Sequence, residues 1–442
     1  MQELSGVNKH MKKINFIEVF TLRRILPGII IMFAWSISTT LSYASDDVWS
    51  ILKREGDVLD LMALEALDGK AILIGAKYIE KQWRSEEVPQ ASQFDASMIR
   101  KILHVMSINV QEQVEWQHSY SAMPDVNEIY ATSRTRDGRL CIAYGGNYAN
   151  DEFINPVILQ VNASGKIIWA NKAAIPEASL PKPSTRTYVQ IANIESIRIV
   201  ETADNGCLLG YILRHQTEQG ETFQLNLLSM NEQGDQQWHF VHETTLYGKM
   251  FLIRNGDAHS YTVAQTNQSR DAAIEAMMAA RPFSPLNNIL VVSDKGELVK
   301  YYDSNALSHL SKIWIKHIVD VPGDEILMVG NSKNAWAGFI DINAQLKSSN
   351  DTLKGEFLFV RTNRSKGYIM VRDDSVVSFD DKLTPRADKE IEKLVKQKYV
   401  NAYLQAKLPE RGPIQNIVPL GKNAYFILYK LASRLQKIEF ND

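Results

Sequence analysis

The histidines are the first residues to test for chemistry. His239 and His242 stand three apart in HFVH, directly after Trp238, where a strand is expected. On a strand that spacing sends the two rings to opposite faces, so they are not expected to share one metal ion. His309 and His317 flank Trp314 and meet only if the fold folds them together. Both pairs read as solvent-facing or singly hydrogen-bonded rings. The adjacent carboxylates Asp373-Asp374 and Asp380-Asp381 fall in apparent turns, where Asp serves local hydrogen bonding. No G-x-S-x-G elbow, P-loop or H-E-x-x-H occurs. The basic, aromatic run Lys396 to Tyr403 reads as a solvated helix face. No residue is therefore assigned a catalytic, cofactor-binding or metal-ligating role, and no cofactor is expected. Acid–base pairs assembled from distant segments leave no local trace, so an enzyme stays open while the balance leans against one.

Cys141 and Cys207 are the remaining reactive pair. Each follows a turn, in DGRLCIAY and DNGCLLGY, and aligning these segments leaves the two sulfurs one residue out of register. On strands such an offset points them to opposite faces, which favours two buried free thiols over a bridge. An oxidising compartment would permit the bridge all the same.

The N-terminus speaks to that compartment. Lys12, Lys13, Arg23 and Arg24 precede an apolar run from Ile25 to Leu41, and small residues at Ser42 and Ala44 frame a cleavage point before Ser45. This is the layout of a secretory signal peptide over residues 1–44, with Met11 as the expected start; the run is near the lower length limit for a spanning helix, so an uncleaved signal anchor is the alternative to cleavage. The rest of the chain holds no apolar run of spanning length, and no Cys follows the signal to carry a lipid. A periplasmic or secreted protein without stable membrane insertion is expected. The net charge of −2 supplies no field for attracting nucleic acid.

The elements that would position any site are repetitive. Asn109, Asn162 and Asn231 each stand seven residues before a Trp: Trp116, Trp169 and Trp238. In VILQVNASGKIIW the pattern is an alternating strand, a turn and a return strand ending on Trp. A Gly-containing turn followed by a short apolar strand recurs seven times, from AILIGAK at Ala71 to LGKNAYFILY at Leu420. Repeated hairpins at these intervals predict an all-β fold, a β-propeller of seven blades, in one domain over residues 45–442. Segments that break the rhythm are read as insertions. Glu80 to Ser97 and the Pro-rich Pro176 to Thr187 are loops; 270–281 and 387–408 are helices on the rim or face. Val48 to Ala66 reads as a helix leading into the first repeat.

Asn162-x-x-Gly165-x-x-x-Trp169 and Asn231-x-x-Gly234-x-x-x-Trp238 resemble the repeats of quinoprotein-like and outer-membrane-assembly β-propellers. The resemblance implies the fold and no activity, because propellers host unrelated functions. Sialidase-type repeats place Trp three residues after Gly, and here it stands four after. A quinone cofactor would need a Ca²⁺ loop that is not seen. The leading expectation is an exported, non-catalytic module that binds another protein, as an envelope scaffold or as an inhibitor or immunity protein for a toxin. The helix at 387–408 is its candidate contact element, and a cap packed back on the propeller is the equal alternative for it. The alternative is a glycan-acting hydrolase or lyase with its site at the mouth of the channel.

Overall fold

The computed structural model describes residues 59–439, apart from 81–98, 148–155, 174–187, 192–195, 268–284, 354–356, 363–367, 373–375, 385–413, 420–423, 430–433 and the short gaps 68, 112, 218–219, 247, 257–258, 322–324 and 333. The signal region and both expected helices, 270–281 and 387–408, lie outside the described residues. So do Asp373-Asp374, Lys396 to Tyr403 and the interior of the two expected loops.

Seven antiparallel sheets follow one another along the chain, each a simple meander. The second sheet is representative: Asp125–Arg134, Leu140–Asn147, Pro156–Val161 and Ile167–Lys172 lie side by side in chain order. The third adds a short strand, Tyr188–Ile191, against the far half of Cys207–Thr217. The sixth and seventh show three strands each among the described residues.

In the first five sheets the middle strands are buried on both faces over most of their length. Pro156–Val161 and Ser260–Thr266 are buried at every position. Among the described residues a separate cluster of buried side chains fills each of six seams between neighbours. Ile72, Ile74, Val105, Ile142 and Leu159 join the first and second sheets; Leu208, Leu227, Met250, Val263 and Leu290 join the third and fourth. Leu64, Leu73, Val418 and Phe426 join the first sheet to the seventh, where the Asn416 amide also donates to the Leu64 carbonyl at 2.7 Å. The first strands of successive sheets touch from the first sheet through the sixth. The seventh sheet's first strand touches both the sixth sheet and the first strand of the first. A cycle of face-packed meanders with their first strands innermost is a β-propeller.

The leading segment departs from expectation. Leu59–Leu67 is the first, innermost strand and not the end of a helix. A β-bulge between Leu61 and Ala63 breaks its alternation, so the apolar residues fall at spacings that imitate a helical stripe. Residues 48–58 of that expected helix lie outside the described residues.

The Asn–Gly–Trp unit has a sharper role than a turn followed by a core residue. The side-chain oxygen of Asn162 accepts from the amides of Ser164 at 3.0 Å and Lys166 at 2.9 Å. Asn109, Asn231, Ser293, Asp341 and Asp380 hold the turns after the other third strands in the same way. Asp380 of the carboxylate pair is thus a turn former. Asp341 shows the balance of forces: burial pushes its carboxyl up, but the Gln345 amide, Lys347 and the Asn343 amide outweigh this and hold it below its usual value.

Gly165 (φ 76°), Gly234 (φ 86°) and Gly296 (φ 81°) adopt left-handed backbone in these turns. Each is also the seat for the Trp of the preceding sheet. A Cβ on Gly165 would collide with the Trp116 ring, one on Gly234 would lie 2.7 Å from Trp169 Cγ, and one on Gly296 2.7 Å from Trp238 Cε3. The Trp side chains are therefore clamps between sheets, Trp169 buried and the other two half-buried at the rim. Trp238 donates its indole N–H to the Asp294 carbonyl at 2.7 Å, whereas Trp169 Nε1 has no hydrogen-bond partner. Where the series of Trp residues stops, so does the series of Gly residues. Lys300 stands in the Trp position of the fourth sheet and bonds Asn343, and the next turn carries Ala344 at φ 58°.

Candidate functional site: the channel mouth on the turn face

In a meander the turns after first and third strands lie at one end of the sheet, and the connections after second and fourth strands at the other. The propeller therefore has a turn face, built largely of tight turns, and a connection face. Of the long segments, 81–98, 174–187 and 268–284 leave the described strands on the connection face, whereas 385–413 follows the turn after a third strand, Val376–Phe379, on the turn face.

The ends of the innermost strands at the turn face bring together charged residues that are far apart in the chain. Glu201 closes the first strand of the third sheet, Arg198–Glu201. Arg254 lies near the end of Lys249–Asn255 in the fourth sheet, and Asp320 near the end of Trp314–Val321 in the fifth. Arg136 sits in the turn that follows Asp125–Arg134 in the second sheet.

These four residues form one network. One Glu201 oxygen receives Arg136 Nε at 3.3 Å and Arg254 at 3.2 Å. The other accepts the Arg136 backbone amide at 2.5 Å. Arg254 also donates to the Thr202 carbonyl at 3.3 Å. The Arg136 guanidinium donates to the Gly256 carbonyl at 3.0 Å, and the Gly256 amide donates to Asp320 at 3.2 Å. On the other side of the second sheet the Thr132 hydroxyl donates to Glu65 at 2.6 Å. Carboxylates and guanidiniums converge here, as the enzyme alternative requires; Glu201 is taken up by both guanidiniums, Asp320 accepts a backbone amide and Glu65 a hydroxyl. Beside the network, burial pushes the Tyr261 phenol up to about 12, with Arg254 and a hydrogen bond to the Ala203 backbone pulling it down.

The seam between the second and third sheets holds what the sequence reading missed. Cys141 and Cys207 form a disulfide, with Cα atoms 6.0 Å apart and both residues fully buried. The expectation of two free thiols is wrong for a geometric reason. The two cysteines lie on equivalent second strands of adjacent sheets that pack face to face. Opposite faces of stacked sheets look at each other, so the one-residue offset joins the sulfurs. Gln160, fully buried, crosses the same seam and donates to the Asn205 carbonyl at 2.6 Å. Arg139, from the second sheet, reaches Glu232 of the third at 3.4 Å.

The histidine pairs are dispersed as their strands dictate. His239 Nε2 meets Asn226 Oδ1 at 3.0 Å. His242, on the opposite face, stacks on Phe240 and meets the Tyr301 ring at 5.1 Å. His309 lies in a single 3-10 turn, Ser308–Leu310, while His317 lies in the following strand with its ring edge-on to Phe251 at 6.1 Å.

Burial lowers the pKa of His239, and of His242 against an opposing pull from Glu243. A histidine whose folded pKa is depressed gives stability that is fully present above its unfolded value, about 6.5, and lost as pH falls toward the folded one. The urea midpoint should therefore fall from pH 7 to pH 5. A His239→Gln, His242→Gln double variant should show a shallower fall; an unchanged slope would show that neither ring carries the effect.

No protein family and no curated protein matches the chain. Among solved structures it is similar to BBS1N in complex with ARL6DN, with a TM-score of 0.44 and 11% identity, over 86% of this chain and 93% of that one. It is similar to the Dos1 propeller with a TM-score of 0.42 and 10% identity, over 86% and 95%. BamB from Moraxella catarrhalis follows with a TM-score of 0.31 and 11% identity, over 73% and 99%. These are likenesses of fold at low identity and say nothing of activity.

Proposed function

We propose that the protein is an exported, non-catalytic propeller, each of its seven sheets one blade, that serves as a protein-binding module in the periplasm. The observation that carries this reading is the state of the charged mouth. Glu65, Glu201 and Asp320 each already accept hydrogen bonds from neighbouring sheets. A general acid or base needs an oxygen aimed at substrate, whereas one oxygen of Glu65, both of Glu201 and one of Asp320 are aimed at protein.

Export is supported by the buried disulfide, since such bridges form and persist in oxidising compartments. The signal-like N-terminus agrees with it. Envelope scaffold and toxin inhibitor or immunity protein are the two roles within this reading, and the helix expected at 387–408 remains its proposed contact element.

Tagged mature protein recovered from the periplasm should bring down one stoichiometric partner, identified by mass spectrometry. Deleting 387–408 should keep the β-type circular dichroism and abolish that capture. Capture that survives the deletion removes the contact element but leaves the binding role. Turnover of a glycan library with no partner recovered would overturn the function itself.

A further inference from the structure

Three buried polar atoms that lack a hydrogen-bond partner fall on one face of the third sheet. Residues along Cys207–Thr217 point alternately into two seams, and Cys207, Leu209, Tyr211 and Leu213 all enter the seam shared with the second sheet. His215 continues that row. On the next strand, Gly220–Met230, Gln224 stands directly across from Leu213 and therefore on the same face. It is the diagonal neighbour of both Tyr211 and His215, a separation that long side chains bridge. Tyr211 is 1% exposed and His215 7%. None of Tyr211 Oη, His215 Nε2 and Gln224 Oε1 has a hydrogen-bond partner in the protein.

The nearest polar side chain is already engaged. Asn226, across from Tyr211, gives its Nδ2 to the Gln224 backbone carbonyl at 3.0 Å and meets His239 Nε2 through its Oδ1 at 3.0 Å. Burial lowers the His215 pKa and the Gln224 side chain opposes that shift. The two therefore lie side by side, yet short of bonding geometry. Burial pushes the Tyr211 phenol up, which keeps it a donor.

An orphaned buried polar group is destabilising, and most such groups are satisfied by protein or by ordered water. A phenol donor, an amide oxygen and an imidazole nitrogen together require an atom that both accepts and donates. A hydroxyl oxygen does this. A carboxylate has no donor for Gln224, and an ammonium has no acceptor for Tyr211.

We propose that Tyr211, His215 and Gln224 together hold one hydroxyl oxygen, that of a buried water or of a polyhydroxyl ligand, at the connection-face end of the seam between the second and third sheets. The oxygen accepts from Tyr211 and donates to Gln224, and His215 supplies the third partner that a buried water typically has. The disulfide and Gln160 close the other end of this seam.

The mature protein and its Tyr211→Phe variant test the site. The substitution removes only the phenol oxygen. With the hydroxyl oxygen held, the variant should unfold at lower urea than the parent, its far-UV circular dichroism unchanged. An orphaned phenol would give the opposite, since its removal relieves a cost; a midpoint equal to or above the parent's would overturn the proposal. A crystal structure of the parent, grown without polyols, should show a resolved peak about 2.7–3.2 Å from Tyr211 Oη and from Gln224 Oε1 or His215 Nε2. Side chains bonded directly to one another, with no third atom between them, would also overturn it. Thermal melting in millimolar glucose, galactose or N-acetylglucosamine separates the two sources. A rise in the parent that the variant lacks assigns the oxygen to a ligand, and no rise in either assigns it to water.

Discussion

Replacing Cys141 and Cys207 together by alanine is expected to destabilise the protein by about 4 kcal/mol. The bridge closes a loop of 66 residues, and in the chain-entropy account the cost of leaving a loop of that length open in the unfolded chain is about 4 kcal/mol at room temperature. Alanine is the right replacement because both sites are fully buried and a serine hydroxyl would add an unsatisfied polar group. The strands concerned are second strands, in the middle of their sheets, so the loss should be global and not confined to an edge. Either single alanine variant should fall close to the double, since each alone removes the bridge. Because both sulfurs are buried, reductant should leave the native protein untouched and act only once urea opens the seam. Urea unfolding with and without dithiothreitol measures all of this. A double variant within about 1 kcal/mol of the parent would mean that Gln160 and the apolar contacts already hold the seam.

What the chain revealed of this architecture follows the range of the interactions. The turns were legible because each is written in five consecutive residues. Asn162 bonds amides two and four positions on, and Gly165 supplies the left-handed backbone between them. The middle strands were legible because burial on both faces leaves a continuous apolar run such as Ile289 to Val292. Contacts between sheets were not. The Cys141–Cys207 bridge depends on which face of one sheet meets which face of the next, and alternation within a strand carries no such information. Arg136, Glu201, Arg254 and Asp320 come from four sheets, and nothing local to any of them marks the mouth. The Trp–Gly seat lay half in view. Both residue types were recognised, but the Gly was paired with the Trp that follows it, whereas its contact is the Trp one repeat earlier. The bulged first strand failed for the opposite reason, since local spacing there imitated a helix.

That pairing across sheets gives the second large effect. Gly234→Ala should cost about 3 kcal/mol, from two separable sources. The left-handed backbone at φ 86° costs an L residue about 1–2 kcal/mol wherever it occurs. The remainder is steric, because the new Cβ would stand 2.7 Å from Trp169 Cγ and the ring is buried between sheets. Trp169→Ala alone should cost about 3–4 kcal/mol through the space it leaves. Once that space exists the methyl group has room, so the double variant should be less destabilised than the sum by about 1–2 kcal/mol. Nature has run half of this experiment two sheets further on. Ala344 occupies the Gly234 position at φ 58°, where Lys300 replaces the preceding Trp. Ala344→Gly should thus be near neutral or stabilise by no more than about 1 kcal/mol, since it relieves the backbone strain and loses a buried methyl. Urea unfolding of the four variants measures the coupling. Strict additivity of Gly234→Ala and Trp169→Ala would separate the two residues and reduce the conserved spacing within each unit to a turn preference. A positive coupling would make each Trp the spacer that sets the distance to the next sheet, and the run of Trp116, Trp169 and Trp238 the device that aligns the first four.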